Sequence, residues 1–365
     1  MPSPGDRLAA AVLFLLILAP ACAFAHGDGA ADADRRIAYY QERLQQMPAL
    51  YPSMTELALA YLDKARTTSD PQWLAKARQM TEASLAVQLS FEAHRARMMI
   101  ESHAHRFEEA LSWARKAASA SSGGAADPEP EIRAALVEIH LALGREEEAA
   151  RMLPTREAAA SQLEAAMARG HWAMTHGDAP EAAAMFELAV GLAHRAQNAE
   201  LAGWASLAAA RAELARGDVE RAQQRMDQAR PLLHEPDASA LFAITRARIL
   251  EAQSDTAAAL AVLETALQHR PRDGELHANA WRAARTLGRD DVAASHFAAA
   301  EQTWRAAIDA GEVLTLGSLA RLYVDAAVKL AEAKLLAERN LSVRGDRQSR
   351  ELLAEATSPL RGQSP

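Results

Sequence analysis

The chain has few of the residue types that mark common catalytic and cross-linked proteins. Its 365 residues include one cysteine, Cys22, and only 5% aromatic residues. A single thiol excludes a disulfide framework within the chain. The sequence contains no HExxH, GxSxG, P-loop or GxGxxG pattern, and most acidic residues stand beside arginines at helical spacing, as surface pairs do. We therefore predict that the protein is not an enzyme and uses no cofactor.

Alanine, leucine and valine must supply most of the packing surface, because hydrophobic residues make up 50% of the chain although aromatic residues are rare. Small side chains let helices approach closely, and alanine has the most favourable helix propensity. The composition therefore predicts an all-helical protein. The formal net charge of −8 favours solubility and argues against nucleic acid as the partner.

A helix-turn-helix unit recurs through the middle of the chain. An alanine follows each predicted turn residue by five places. The turn residues are His105, Gly144, Gly177, Gly217, Ser254 and Gly288. The alanines are Ala110, Ala149, Ala182, Ala222, Ala259 and Ala293, which are 33 to 40 residues apart. One such helical pair cannot bury its apolar face alone, so the pairs are expected to stack on their neighbours.

These units resemble the tetratricopeptide repeat (TPR), a helical pair of about 34 residues. The match is best at residues 182–189 and at the unit that Pro271 closes, and it covers roughly residues 50–340. The third unit departs from the pattern, because Pro154 falls inside its second helix and predicts a short or kinked helix. The resemblance implies an all-α, right-handed superhelical solenoid whose first helices line a concave groove. Since the family is functionally diverse, it implies an interaction scaffold.

The N-terminal residues indicate export. Residues 8–19 form an apolar run too short to span a bilayer, and Ala23-Phe24-Ala25 supplies the small-x-small pattern of a signal-peptidase site. We predict a signal peptide over residues 1–25, a mature protein that begins at His26, and a periplasmic or secreted bacterial location. The alternative is a membrane-anchored lipoprotein modified at Cys22. No second apolar segment approaches 18 residues, so no transmembrane segment is expected in the mature chain.

The remaining sequence divides into five stretches. Residues 26–49 are predicted to be a flexible tail and an N-terminal capping helix. Residues 50–120 hold the N-terminal repeats, and a linker rich in Ser, Gly and Pro follows at 121–130. The C-terminal repeat array covers 131–341. Residues 342–365 are predicted to be a C-terminal helix and a disordered tail.

Arginines are the candidate ligand-binding residues of the groove. Helical spacing and the family resemblance place five of them on groove-facing positions: Arg95, Arg211, Arg248, Arg282 and Arg285. A guanidinium group donates a planar fork of hydrogen bonds that suits carboxylates, so the expected partner is a protein or peptide that is acidic or offers a C-terminal carboxylate. The alternative is that these arginines are solvated or paired with Glu213, Glu251 and Glu275.

A second set of residues would suit a metal. Met167, His171 and Met174 lie at i, i+4 and i+7 on one helical face, and methionine sulfur with imidazole suits copper(I). His26, as a mature N-terminus, would offer an amine and an imidazole to copper(II). Ordinary packing explains the methionines as well.

The predicted function is an exported interaction scaffold that serves as an assembly or docking factor of the bacterial envelope, and the alternative is a periplasmic copper-handling accessory protein.

Overall fold

The computed structural model describes residues 30–361 except 69, 71, 122–127 and 234–235. The described residues form nineteen α-helices and two short 3-10 helices, with no β-strand among them. The α-helices are α1 (Ala30–Gln46), α2 (Tyr51–Thr68), α3 (Gln72–Val87), α4 (Phe91–His103), α5 (Phe107–Ser121), α6 (Pro130–Ala142), α7 (Glu146–Met152), α8 (Arg156–Ala159), α9 (Leu163–Thr175), α10 (Ala179–Arg195), α11 (Ala199–Ala215), α12 (Val219–Ala229), α13 (Ala240–Ala252), α14 (Thr256–His269), α15 (Gly274–Thr286), α16 (Asp290–Asp309), α17 (Leu316–Ala326), α18 (Leu330–Val343) and α19 (Arg347–Arg361).

Eight helical hairpins make up this part of the chain. They are α2/α3, α4/α5, α6/α7, α9/α10, α11/α12, α13/α14, α15/α16 and α17/α18, with α1 before them and α19 after them. Each hairpin packs on the next one, and the first helices of neighbouring hairpins touch, as α11 touches α13 and α13 touches α15. This neighbour-to-neighbour packing confirms the all-α, right-handed superhelical solenoid.

The predicted turn register is confirmed in detail. All six predicted turn residues adopt the left-handed conformation, with φ between 56° at His105 and 84° at Gly217. The alanine five places after each turn is buried, from 0% exposure at Ala110 to 5% at Ala293. Where an aspartate follows the turn, as at Asp218, its carboxylate accepts a hydrogen bond from a backbone N–H in the next helix, which caps that helix. The tight turn, the cap and the small residue together set each hairpin.

The proline in the third unit has the predicted effect. Helix α7 contains only seven residues and ends at Met152. Leu153 is extended, which is the conformation that a following proline favours, and Pro154 itself cannot continue the hydrogen-bond ladder. The chain then makes the single turn of α8, which the hydroxyl of Thr155 caps by accepting from the Ala158 backbone N–H at 3.2 Å.

The apolar core continues across the connection between α5 and α6. Ala114 and Ala117 of α5 belong to the same buried cluster as Ile132, Ala135 and Ile139 of α6. The repeats on the two sides of this connection are therefore packed against each other. The predicted signal peptide with Cys22, and the predicted first mature residue His26, lie outside the described residues.

None of the described helices combines the length and the apolar character that a bilayer crossing requires. At the C-terminal end, the described part of α19 continues to Arg361. Residues 362–365 of the predicted tail lie outside the described range.

The superhelix returns to its own N-terminal half. Gly345, between α18 and α19, packs directly on the backbone of Leu143–Gly144, so closely that a Cβ atom on Gly345 would lie 2.4 Å from the Leu143 carbonyl oxygen. We call this contact between Gly345 and Leu143–Gly144 the clasp. Beside it, Arg350 of α19 forms an ion pair with Glu146 of α7, with 3.3 Å between Nη2 and Oε1.

Two arginines make further contacts between distant repeats. The Arg344 guanidinium carbon lies 5.6 Å from the centre of the Phe107 ring. Arg270 donates from Nη1 to the backbone carbonyl oxygen of Arg66, 204 residues away, at 3.2 Å. The superhelix therefore encloses its concave groove instead of remaining open.

Candidate functional site

One position of the repeat forms a row along the groove. It lies on the first helix of a hairpin, six residues before the left-handed residue of the turn inside that hairpin, and we call it the groove row. Its members are Met99, Glu138, His171, Arg211, Arg248, Arg282 and Arg321. Contacts between successive members support the assignment: the His171 Nδ1 and Glu138 Oε1 atoms are 2.9 Å apart. The residue type changes along the row from apolar through acidic to cationic.

Three successive arginines of the row stand close enough to influence one another. Burial, reinforced by Arg248, lowers the pKa of Arg211 to about 9. Burial, together with Arg282, lowers the pKa of Arg248 to about 10. Both effects disfavour the charged form, because each guanidinium has lost water and faces a like charge. This part of the groove is therefore a stack of poorly solvated cations.

Arg248 is the member of this stack that lacks a direct partner. The Arg248 side chain is partly buried, and its guanidinium makes no hydrogen bond or ion pair with any residue that the structure describes. Glu251 and Glu275 influence it through space without forming such a pair. A guanidinium that is short of both water and a carboxylate is a costly arrangement for the protein alone. Its N–H groups remain available to an incoming acceptor.

The pKa values of the two nearby carboxylates, Glu251 and Glu275, are also shifted. Burial raises the pKa of Glu251, although that side chain is exposed to solvent. Both observations are explained if Glu251 lies on the concave side of the superhelix. Water reaches its oxygens there, but protein surrounds them on most sides. Burial also raises the pKa of Glu275, whose Oε1 accepts a hydrogen bond from the Ser318 hydroxyl at 2.6 Å.

Carboxylates of the protein balance the positive charges at the C-terminal end of the groove row. Asp325 Oδ2 lies 3.7 Å from Arg282 Nη1, and Asp325 Oδ1 lies 3.7 Å from Arg321 Nη1. Arg321 also pairs with Glu355 of α19. The charges of Arg282 and Arg321 are thus shared with carboxylates of the protein, in contrast to that of Arg248.

Two of the five predicted arginines lie away from this stack. Arg95 forms an ion pair with Glu131, at 2.7 Å between Nη1 and Oε1, which links α4 to α6. Arg285 is exposed, donates to the Asp325 carbonyl oxygen at 3.0 Å and lies over the Trp281 ring at 5.1 Å. The structure therefore brings together Arg211, Arg248 and Arg282 but places Arg95 and Arg285 elsewhere.

The residues predicted for copper occupy different surroundings from one another. Met167 is 2% exposed and belongs to the apolar core, against which Met174 packs from the side. His171 is engaged with Glu138 in the groove row, and His26 lies outside the described residues. In the described part of the chain, no group of three or more His, Cys, Asp or Glu residues is placed to hold a metal ion.

An apolar wall lies beside the arginines. Trp204 of α11 and Leu241 of α13 stand seven residues before Arg211 and Arg248, which is two helical turns, or about 10 Å, along the same face. Both are partly buried and pack against one apolar cluster. Sequence reasoning did not single out these two residues, nor Glu138 and Arg321. The predicted turn register would have found Trp204, Leu241 and Glu138, because each lies at a fixed distance before one of the six predicted turn residues. Arg321 lies before Ala327, which was not predicted as a turn residue.

Comparison with solved structures supports the fold. Rap protein complexed with Competence and Sporulation Factor matches with a TM-score of 0.54 and 14% identity, over 97% of this chain and 100% of that chain. Human IFIT1 with m7Gppp-AAAA matches with a TM-score of 0.46 and 15% identity, over 93% and 78%. Cut9-Hcn1, an APC/C hetero-tetramer, matches with a TM-score of 0.42 and 14% identity over 83% of this chain, which spans only 63% of the Cut9-Hcn1 chain.

Further matches include proteins described as having tetratricopeptide repeats. No protein-family model and no curated protein matches the sequence. The helical hairpins, their register and the match to the Rap protein together identify the fold as TPR-like. At this level of identity the likeness establishes the architecture only.

Proposed function

We propose that the protein is an exported, non-catalytic scaffold that binds a segment of another protein in its concave groove, with a carboxylate of that segment received by Arg248. The observation that carries the proposal is the position of Arg248, whose guanidinium lies between two arginines of the groove row and has no partner among the described residues. A bound carboxylate would supply the missing countercharge, and charge-assisted hydrogen bonds to a planar guanidinium are strong and directional.

The surroundings favour a single carboxylate over a polyanion. Glu251 and Glu275 lie near Arg248, so these two carboxylates would repel a chain of phosphates that ran along the groove. The protein as a whole carries a net charge of −8, which repels nucleic acid at long range. Trp204 and Leu241 offer apolar surface two helical turns away, which suits a hydrophobic side chain on the same bound segment.

The biological setting of the proposal comes from the N-terminal sequence. A signal peptide over residues 1–25 would deliver the scaffold to the bacterial envelope, where we propose that it serves as an assembly or docking factor. The Rap protein, solved in complex with Competence and Sporulation Factor, provides a precedent for a ligand-binding protein of this architecture.

The experiment compares two variants of helix α13. Arg248→Gln removes the proposed contact. Arg246→Gln, two residues away on another face of the helix, is the matched control because Arg246 is also partly buried and has no hydrogen bond or ion pair with the described residues. The probe is a library of peptides with free C-terminal carboxylates and acidic residues, the same peptides amidated, and a single-stranded RNA of equal charge.

We expect peptides to bind in preference to RNA, and binding to weaken with salt. Arg248→Gln should reduce the affinity about 10- to 100-fold, the usual range for one lost charge-assisted contact, whereas Arg246→Gln should leave it unchanged. Equal affinities for the wild-type protein and Arg248→Gln would contradict the proposal, and so would preferential binding of the RNA. Circular dichroism of both variants controls for folding.

A further inference from the structure

Two histidines face each other across the seventh hairpin. His277 lies on α15 and His296 on α16, and their Nδ1 atoms are only 2.9 Å apart. Both side chains are partly buried. Neither belongs to the groove row, and His277 lies five residues before Arg282 on another face of α15. The pair is therefore separate from the proposed peptide site.

The Nε2 atom of each ring faces an oxygen atom. The Nε2 atom of His277 lies 3.1 Å from the Pro271 carbonyl oxygen. Because a carbonyl can only accept, this Nε2 carries the hydrogen, and the Nδ1 atom of His277 presents a lone pair to His296. The Nε2 atom of His296 faces a carboxylate, with Glu264 Oε1 at 4.0 Å.

The two neutral forms of His296 place its hydrogen differently toward its two neighbours, and only one of them gives a hydrogen bond to His277. If its hydrogen is on Nδ1, that atom can donate to His277, but the bare Nε2 then faces the negative carboxylate of Glu264. If the hydrogen is on Nε2, it points toward Glu264, but two Nδ1 lone pairs then face each other at 2.9 Å. A metal ion bound by both Nδ1 atoms gives a third arrangement, in which both Nε2 atoms carry hydrogens that point to oxygen.

We propose that His277 and His296 bind a divalent transition metal ion of the zinc class through their Nδ1 atoms. Zinc accepts imidazole nitrogens at about 2.0–2.1 Å in tetrahedral geometry, which sets two ligand nitrogens roughly 3.3 Å apart. A widening of only a few tenths of an ångström is needed. Pro271 and Glu264 then act as the outer hydrogen-bond acceptors that usually orient metal-binding histidines.

The remaining coordination positions fall to solvent or to a ligand atom. Among the described residues, no third His, Cys, Asp or Glu completes a cluster at this pair, and the His296 side chain is 14% exposed, so water can reach the ion. Burial lowers the pKa of His296, with His277 adding to the effect and Glu264 opposing it. This shift disfavours the imidazolium form, which cannot bind a metal.

The test is a calorimetric titration of the full-length protein with Zn²⁺ at pH 7.5. It is done in a His26→Gln background so that an N-terminal histidine cannot compete. Co²⁺ serves as a second probe, because its visible absorption reports tetrahedral nitrogen coordination. We expect one ion per chain, and at least tenfold weaker binding in His277→Gln and in His296→Gln. The matched control is His269→Gln, an exposed histidine of the adjacent helix α14, which should bind as before.

A third variant separates metal binding from a structural role. Glu264→Gln keeps both histidines and the side-chain volume, and should weaken Zn²⁺ binding several-fold, as outer-shell changes do. The proposal is wrong if Zn²⁺ leaves the imidazole resonances of His277 and His296 unmoved while acid moves them, since the pair would then hold only a proton. Zn²⁺ affinity that is unchanged in both histidine variants would overturn it as well.

Discussion

The clasp can be opened by adding one methyl group. In Gly345→Ala the new Cβ would lie 2.4 Å from the carbonyl oxygen of Leu143 and 3.0 Å from its carbonyl carbon. Both are backbone atoms, so no side-chain rotation can make room. Gly345 does not have the positive φ that would strain an alanine. The effect of the substitution is therefore steric, and the two backbones must move apart.

The expected size of the effect follows from what holds the clasp together. Overpacking of a close contact costs about 1–3 kcal/mol, which corresponds to a shift of about 5- to 150-fold between closed and open forms. The contacts beside the clasp are weak. The Arg350–Glu146 pair is exposed and contributes at most about 1 kcal/mol, and the Arg344–Phe107 contact contributes about 0.5–2 kcal/mol. We therefore expect Gly345→Ala to populate an open superhelix while each hairpin remains folded.

Distances between spin labels would measure the opening. Cysteines at Glu147 on α7 and Ala354 on α19, both exposed, report the separation across the clasp once Cys22 is replaced by serine. The matched control is Gly191→Ala in α10, where the nearest atom to a new Cβ is Arg195 Nη1 at 3.7 Å. We expect Gly345→Ala to lengthen and broaden the distance distribution and the control to leave it unchanged. A distribution identical to that of the wild-type protein in Gly345→Ala would refute the steric argument.

Two further predictions concern other parts of the chain. Burial raises the pKa of Glu301, but hydrogen bonds from Lys329, Tyr323 and Arg305 outweigh this effect and lower the pKa to about 2. The ionised Glu301 carboxylate therefore stabilises the folded protein above pH 4.5, and this contribution is lost as the pH falls toward 2. In urea unfolding at pH 7, Glu301→Gln should be less stable than the wild-type protein. Between pH 7 and pH 3 it should lose less stability than the wild-type protein does. The same pH dependence of stability in the variant and the wild-type protein would contradict this prediction. Intact-mass analysis of the protein from its native host should find His26 first, whereas an acylated Cys22 would establish the lipoprotein alternative.

The sequence predicts the hairpins well because their determinants are local. A residue that accepts the left-handed conformation and an alanine five places on lie within a few residues of each other, and they mark the turn inside each hairpin from His105 to Gly288. Aspartate caps reinforce several of these turns. Pro154 acts locally too, so the short helix α7 was predictable. Such signals do not depend on how the repeats are arranged in space.

The groove was predictable only in part, because helical spacing does not fix where a side chain ends. Arg282 and Arg285 are three residues apart and share a helical face, yet one reaches the groove row and the other lies over Trp281. The pair between Arg95 and Glu131 joins two repeats, so it depends on the angle between them. The clasp depends on the summed twist of several hairpins, which no local pattern encodes.

The repeats divide their residues between folding and recognition. The alanine five places after the turn is the same in six hairpins and is always buried, because a larger side chain there would push the helices apart. The groove row is not uniform in this way: most of its members are also buried, yet its residues range from Met99 through Glu138 to Arg248. Positions that vary on a constant scaffold are where a solenoid can acquire a ligand preference without loss of stability. In the described part of the chain the Arg248 guanidinium has no partner, although a neutral residue would fit the fold more easily. This is the strongest indication that its countercharge comes from a bound molecule.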